Sequence, residues 1–246
     1  MLAATIVGLD LWIAAICLVI VFAGSLLQAS IGIGLGLLAA PTLSLVDPDF
    51  IPGALVVCVV PLSVGMTVRE FGHLDRHGIW GAVAGRFVGV LLGALLLKVT
   101  GQGSIAVVIG LSVLLAVVAS LTGLRFQPSR RNLVIAGAAS GLTGTAAGVG
   151  GPPMALTYQN SDPRTLRATL ATFNTIGSAM TVSVLSLAGV IGKRELQLAL
   201  LLVPGVVLGL WAARYTIHHM SPERVRPFVL VVCSASALAL LVRQFV

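Results

Sequence analysis

The sequence predicts an all-α integral membrane protein made of two inverted repeats of about five transmembrane segments each, some of them short or broken. Three observations predict it. Hydrophobic residues make up 57% of the 246 positions and charged residues only 9%. A soluble domain carries about a quarter of its residues as charges, so a wetted globular surface is excluded. Apolar runs able to cross a bilayer recur along the whole chain. Two of them are interrupted by glycine-rich breaks in a matched register.

The apolar stretches run from Leu11 to Val46, Ile51 to Val68, Ile79 to Leu97, Ser104 to Leu121, Leu133 to Tyr158, Leu166 to Ile191, Leu196 to Ala213 and Val225 to Leu241. As a single helix the first would be about 54 Å long, against a hydrocarbon core of about 30 Å. It has to break, and Gly32-Ile33-Gly34-Leu35-Gly36, closed by Pro41, is where it does so. The fifth stretch breaks in the same way at Gly148-Val149-Gly150-Gly151-Pro152-Pro153. The sequence leaves open whether each break joins two short helices or kinks one.

A constant offset of 116 residues places Gly32 on Gly148, Gly34 on Gly150, Gly89 on Gly205, Gly93 on Gly209 and Lys98 on Arg214. Such a sustained register is the signature of an internal repeat. Residues 1–124 then form the first repeat, 125–131 a basic connecting loop and 132–246 the second repeat.

The net charge of +7 would suggest nucleic acid on a soluble protein, but here the basic residues sit between apolar runs without interleaved aromatics. No nucleic-acid partner is expected, and the charge reads as orientation. With each broken stretch counted as two segments, Arg69, Arg76, Arg125, Arg130, Arg131, Arg164, Arg167, Arg214, Arg224 and Arg226 fall on odd-numbered loops. Only Lys98, Lys193, Arg194 and Arg243 fall on even-numbered loops or the termini. The positive-inside rule then puts both termini outside the cytoplasm. Five segments per half make the second half enter from the opposite side. Inverted repeats with interrupted helices are the pattern of secondary transporters, whose substrate sites lie near the midplane.

No basic residue precedes Arg69, so the first apolar run reads as a retained helix and not a cleaved signal. Cys17, Cys58 and Cys233 lie in apolar runs without metal-ligand spacing and read as packing residues.

The breaks carry the most specific chemistry. Glycine tolerates an unwound turn and lets backbone amides approach a ligand. A helix that starts after such a turn directs unpaired amides and its positive dipole end at the break, as an anion site requires. A lone glycine triplet would read as close helix packing; two breaks in register favour a site. The candidate substrate-binding residues are Gln28, Ser30, Gly32, Gly34 and Gly36 in the first half. Thr145, Gly148, Gly150, Gly151 and Pro152 are their counterparts in the second, joined by Asn174 and Arg86. For each hydroxyl or amide the competing reading is an interhelical hydrogen bond.

Arg86 is the one basic residue well inside an apolar run, where a charge costs about 2.5 to 3.5 kcal/mol on insertion scales. It either attracts an anion or snorkels to the nearer surface. No acidic residue falls in the middle of an apolar run, so a cationic substrate and a carboxylate proton relay are not expected. His73, Asp75 and His77, and the pair His218 and His219, lack a convergent ligand and read as solvated loop. No metal or cofactor is expected, and no nucleophile elbow, Walker loop or dinucleotide fingerprint occurs.

The paired glycine segments, each preceded by a small-residue helix and followed by prolines, resemble the TauE/SafE family of sulfite exporters over nearly the whole chain. Gly141-Leu142-Thr143-Gly144 running to Gly148-Val149-Gly150-Gly151-Pro152 looks closest to the family pattern; the first motif carries Leu35 where a glycine often stands. The resemblance implies a multi-pass inner-membrane permease, not an enzyme, that exports sulfite, sulfoacetate or related sulfonates. The partners are then a small anion and the lipid bilayer, in a monomer or a homodimer. The alternatives are an anion channel, a membrane-embedded enzyme and a structural subunit.

Overall fold

The computed structural model describes residues 5–100, 102–121, 126–216 and 222–245. It is 85% helical, with ten helices among the described residues. They are α1 (Leu11–Ile31), α2 (Leu35–Val46), α3 (Gly53–Glu70), α4 (Ile79–Val99), α5 (Gln102–Leu121), α6 (Arg130–Ala147), α7 (Gly151–Tyr158), α8 (Pro163–Leu187), α9 (Lys193–Thr216) and α10 (Pro222–Phe245). A two-residue hairpin pairing Thr5 with Asp10 precedes α1. Arg125, His218 and His219 lie outside the described residues, as do the side chains of Arg224, Arg226 and Arg243.

Among the described residues, five segments are long and apolar enough to cross a membrane: α1, α3 with its flanking turns, α4, α8 and α9. Their outer faces expose large apolar side chains such as Val19, Leu92, Leu187 and Leu200. Trp12, Trp80 and Trp211 are also exposed, near helix ends, where indole rings suit a membrane interface. Cys17, Cys58 and Cys233 are buried and unbridged.

Both breaks join two separate helices. α1 ends on Gly32 in the left-handed region, φ 92°, with its N–H on Gln28 O at 2.8 Å. α6 ends on Gly148 the same way, φ 72°, its N–H on Gly144 O at 3.1 Å. Glycine reaches this geometry at no steric cost, which is why each helix stops there. α2 then folds back along α1, and an added Cβ on Gly24 would lie 3.0 Å from Leu35 Cα. α7 folds back on α6, tied by Ser140 Oγ donating to Gly150 O.

The two hairpins open toward opposite ends of the bundle. At one end Arg194, on the first turn of α9, donates to Val7 O before α1 and to Asp47 Oδ2 after α2 at 2.9 Å. At the other end, Tyr158 at the close of α7 donates to Asp75 Oδ2 ahead of α4, at 2.8 Å. Arg167 of α8 pairs there with Glu70 of α3 at 3.2 Å.

Helix packing follows small residues. α4 presents Gly85, Gly89 and Gly93 to α6, which answers with Gly137 and Gly141. An added Cβ on Gly85 would fall on Val134 O, and one on Gly137 would fall on Ala82 O. Backbones this close gain dispersion where lipid offers no hydrophobic drive between helices. α9 uses Gly205 and Gly209 against α1 in the same way. α3 crosses α8, and α5 lies on α10.

Asp75 lies outside the spanning segments. Burial draws its carboxyl upward, but hydrogen bonds from Gly78 N, Tyr158 Oη and His77 N outweigh this and hold it below the ordinary carboxylate value. A depressed folded value gives stability that is present above the unfolded value and is lost as pH falls through the folded one. Asp75→Asn should therefore lower thermal stability in detergent at neutral pH, by about 1 kcal/mol, with the deficit closing in strong acid. A deficit equal at every pH would remove the charge from this account.

Candidate functional site

The hairpin tips meet inside the bundle. An added Cβ on Gly36 would fall on Gly148 O, and one on Gly151 would lie 3.3 Å from Ile33 Cγ2. Beside this junction lies a small, partly open cavity. Its walls include Gln28, Gly34, Gly36, Arg86, Gly148, Gly150, Gly151, Pro152 and Asn174 from among the candidates, together with Gly144 and Ser178.

α2 contributes amides. Its first intrahelical bond runs from Leu38 N to Gly34 O, so Leu35, Gly36 and Leu37 have no acceptor within the helix. Gln28 Oε1 takes the Leu35 N–H at 3.1 Å, which fixes the side chain and leaves its amide nitrogen as a donor. Gly36 and Leu37 themselves line the cavity. The second helix start is poorer in donors, because Pro152 and Pro153 have no N–H and only Gly151 keeps one.

Arg86 makes up the difference. Its side chain turns inward and is 4% exposed, so the snorkelling alternative does not describe it. Nη1 donates to Ser140 Oγ at 2.9 Å and to Asn174 Oδ1 at 3.5 Å. The guanidinium carbon lies 4.7 Å from the centre of the Phe173 ring, within cation–π range. Nε is buried without a hydrogen-bond partner. Glycines make the room: Cβ atoms added on Gly144 and Gly150 would approach the guanidinium nitrogens at 3.2 to 3.4 Å.

Among the described residues no carboxylate pairs with Arg86, and none lines the cavity. A buried cation surrounded by amide, hydroxyl and glycine backbone is suited to an anion. The acidic groups lie at the ends of the bundle, already engaged: Glu70 with Arg69 and Arg167, Asp47 and Asp49 with Arg194, Asp75 with Tyr158.

Three candidates stand apart from the wall. Thr145 is fully buried and shares a hydrogen bond with Thr181 of α8 at 3.1 Å, the interhelical alternative. Ser30 is buried with an unpartnered hydroxyl away from the cavity lining. Gly32 packs toward Leu166 and Leu170 and shapes the turn. Ser140, Phe173 and Gly177 were not singled out by the sequence, yet all three touch Arg86. His73 and His77 are exposed on their loop, and no group of three metal-binding side chains occurs among the described residues.

A family model described as sulfite exporter TauE/SafE matches residues 16–240. No curated protein and no solved structure matches the chain.

Gly177 faces the Arg86 side chain so closely that an added Cβ would fall on Nε. Gly177→Ala should push the guanidinium off Ser140 and Asn174 and weaken anion binding about tenfold or more, read as a raised half-saturation constant in vesicle uptake. Unchanged binding in the folded variant would show that this placement of Arg86 is immaterial.

Proposed function

The chain belongs to the TauE/SafE family of sulfite exporters, and on that premise we propose that it is a secondary carrier of small sulfur-containing anions. Sulfite, sulfoacetate and other sulfonates are the candidate substrates, carried outward across the inner membrane. The observation that carries this reading is Arg86, a buried cation on a cavity wall without a carboxylate partner among the described residues. An oxyanion supplies the missing charge and accepts from the Gly36 and Leu37 amides and the Gln28 amide nitrogen.

Alternating access is the mechanism this reading proposes. Two glycine-tipped hairpins that open toward opposite ends and meet at the cavity support it, since rocking one half against the other exposes the junction to each side in turn. Exchange of pairings supports two repeats in inverted relation: α4 lies on α6 as α9 lies on α1. These are equivalent pairs in a five-helix repeat. We place the cytoplasm at the end that gathers Arg69, Arg76, Arg130, Arg164 and Arg167, which leaves both termini outside.

Uptake into proteoliposomes, with sulfite, sulfoacetate, taurine, sulfate and small carboxylates in turn, tests the carrier. Saturable counterflow of at least one sulfur anion is expected, whereas unsaturable flux would mean a channel and no movement of any anion would end the reading. Arg86→Gln should lower that flux by roughly tenfold to a hundredfold in folded protein, the effect of one lost charged hydrogen-bonding partner. Unaltered affinity and rate would remove Arg86 from the site. For the orientation, single cysteines placed at each terminus in a cysteine-free background should react with an impermeant maleimide from the outside of intact cells. Labelling of either one only after lysis would refute the assignment.

A further inference from the structure

We propose that the cavity selects its occupant by charge, admitting a monoanion and rejecting the dianion of the same acid. The inference rests on the carrier reading and goes beyond it, because family membership leaves the charge state of the cargo open. Among the described residues Arg86 is the one charged side chain on the cavity wall. It is 4% exposed, with Nε buried and unpartnered, so one positive charge waits there without a counter-ion among the described residues. The remaining wall groups, from the Gly36 and Leu37 amides to Gln28, Asn174 and Ser178, are neutral. They can satisfy oxygen lone pairs but cannot alter the net charge.

A monoanion brings the occupied site to zero. A dianion leaves it at −1 in an apolar interior, where a lone charge is held only against a large desolvation penalty. The same balance favours occlusion of the loaded monoanion form over the empty or dianion-loaded forms. Sulfoacetate, with one carboxylate and one sulfonate, is a dianion at neutral pH, so charge selection removes it from the candidate substrates and keeps hydrogen sulfite and simple sulfonates. A simple alkyl sulfonate keeps one charge at any ordinary pH, whereas sulfite takes up a proton near neutrality and becomes the monoanion hydrogen sulfite.

Among the described residues no other titratable group lines the cavity. On the helices packed against α4, Arg130 and Arg131 stand on the first turn of α6, and Arg164 and Arg167 near the start of α8. Across the cavity, Cys58 of α3 turns to α9, with its Sγ on Ala199 O at 3.4 Å. Asp75, Tyr158, His73 and His77 belong to one mouth of the bundle, where both histidines are exposed.

The test is counterflow of the full chain in proteoliposomes with the same pH on both sides, taken from mildly acidic to mildly alkaline. Labelled sulfite and labelled methanesulfonate serve as probes, with sulfate as competitor. The KM for total sulfite should rise about tenfold per pH unit once the dianion dominates. The KM of methanesulfonate, or its inhibition constant if it moves slowly, should stay flat. Any titration of His73, His77 or Asp75 would shift both probes together and so divides out. Sulfate should fail to compete throughout. A sulfite KM that stays level or falls with rising pH, or competition by sulfate equal to that of methanesulfonate, overturns charge selection while leaving the carrier intact. If no anion moves or competes, the carrier reading and this inference fall together.

Discussion

The constraint on which the rest of the structure depends is a guanidinium held away from water and from every carboxylate among the described residues. Arg86 lies in the middle third of α4, where insertion of a charge costs about 2.5 to 3.5 kcal/mol. Its surroundings offset part of that. Ser140 and Asn174 accept from Nη1, the Phe173 face supplies π-electron density, and glycines at 144, 150 and 177 let backbone stand where side chains would otherwise collide. What they do not supply is a negative charge. A wall so provisioned is suited to an anion.

The glycine seam between α4 and α6 and the cavity at Arg86 are one piece of construction. In lipid there is little hydrophobic drive to bring helices together, so close approach of small residues does that work. Gly85, Gly89 and Gly93 let α4 lie backbone to backbone on α6, and Gly141 sits so near that a Cβ there would fall on Arg86 O. The depth at which the seam closes thereby sets the depth of the guanidinium. It also places Ser140, one residue before Gly141, within reach of both Arg86 and the Gly150 carbonyl. Loosening the seam and disturbing the site are the same perturbation.

The fold was largely legible in the sequence because its signals are repeated. Apolar run length located the helices, and the shared register of Gly32 with Gly148 marked both turns, which the structure finds in the same left-handed cap. Side-chain direction was much less legible. Most of these helices are apolar nearly all round, so a polar stripe marks the inward face on few of them; α8, with Thr172, Asn174, Thr175 and Ser178, is the exception. Thr145, beside a break, turned out to bond Thr181, while Ser140, one turn earlier on α6, reaches Arg86. Gly177 and Phe173 are unremarkable residue types in a membrane helix, and only the crossing of α8 against α4 gives them a role. Arg86 was visible as a charge in the wrong place, but sequence alone could not separate a cavity from a surface for it.

Register also exposes an asymmetry that the repeat conceals. At the 116-residue offset, Arg86 corresponds to Leu202, Gln28 to Gly144, and Gly36 and Leu37 to Pro152 and Pro153. Each position that offers a donor in one half therefore lacks one in the other. Two helix starts meet at the junction, the first richer in free amides than the second, and the guanidinium of α4 stands on the same cavity wall. A strictly symmetric site would carry either two arginines or none. With two, a monoanion would leave excess positive charge buried; with none, only backbone and neutral side chains would face the cargo. A single guanidinium together with amide donors gives a junction that keeps the two-hairpin geometry while fixing the net charge of the wall at one.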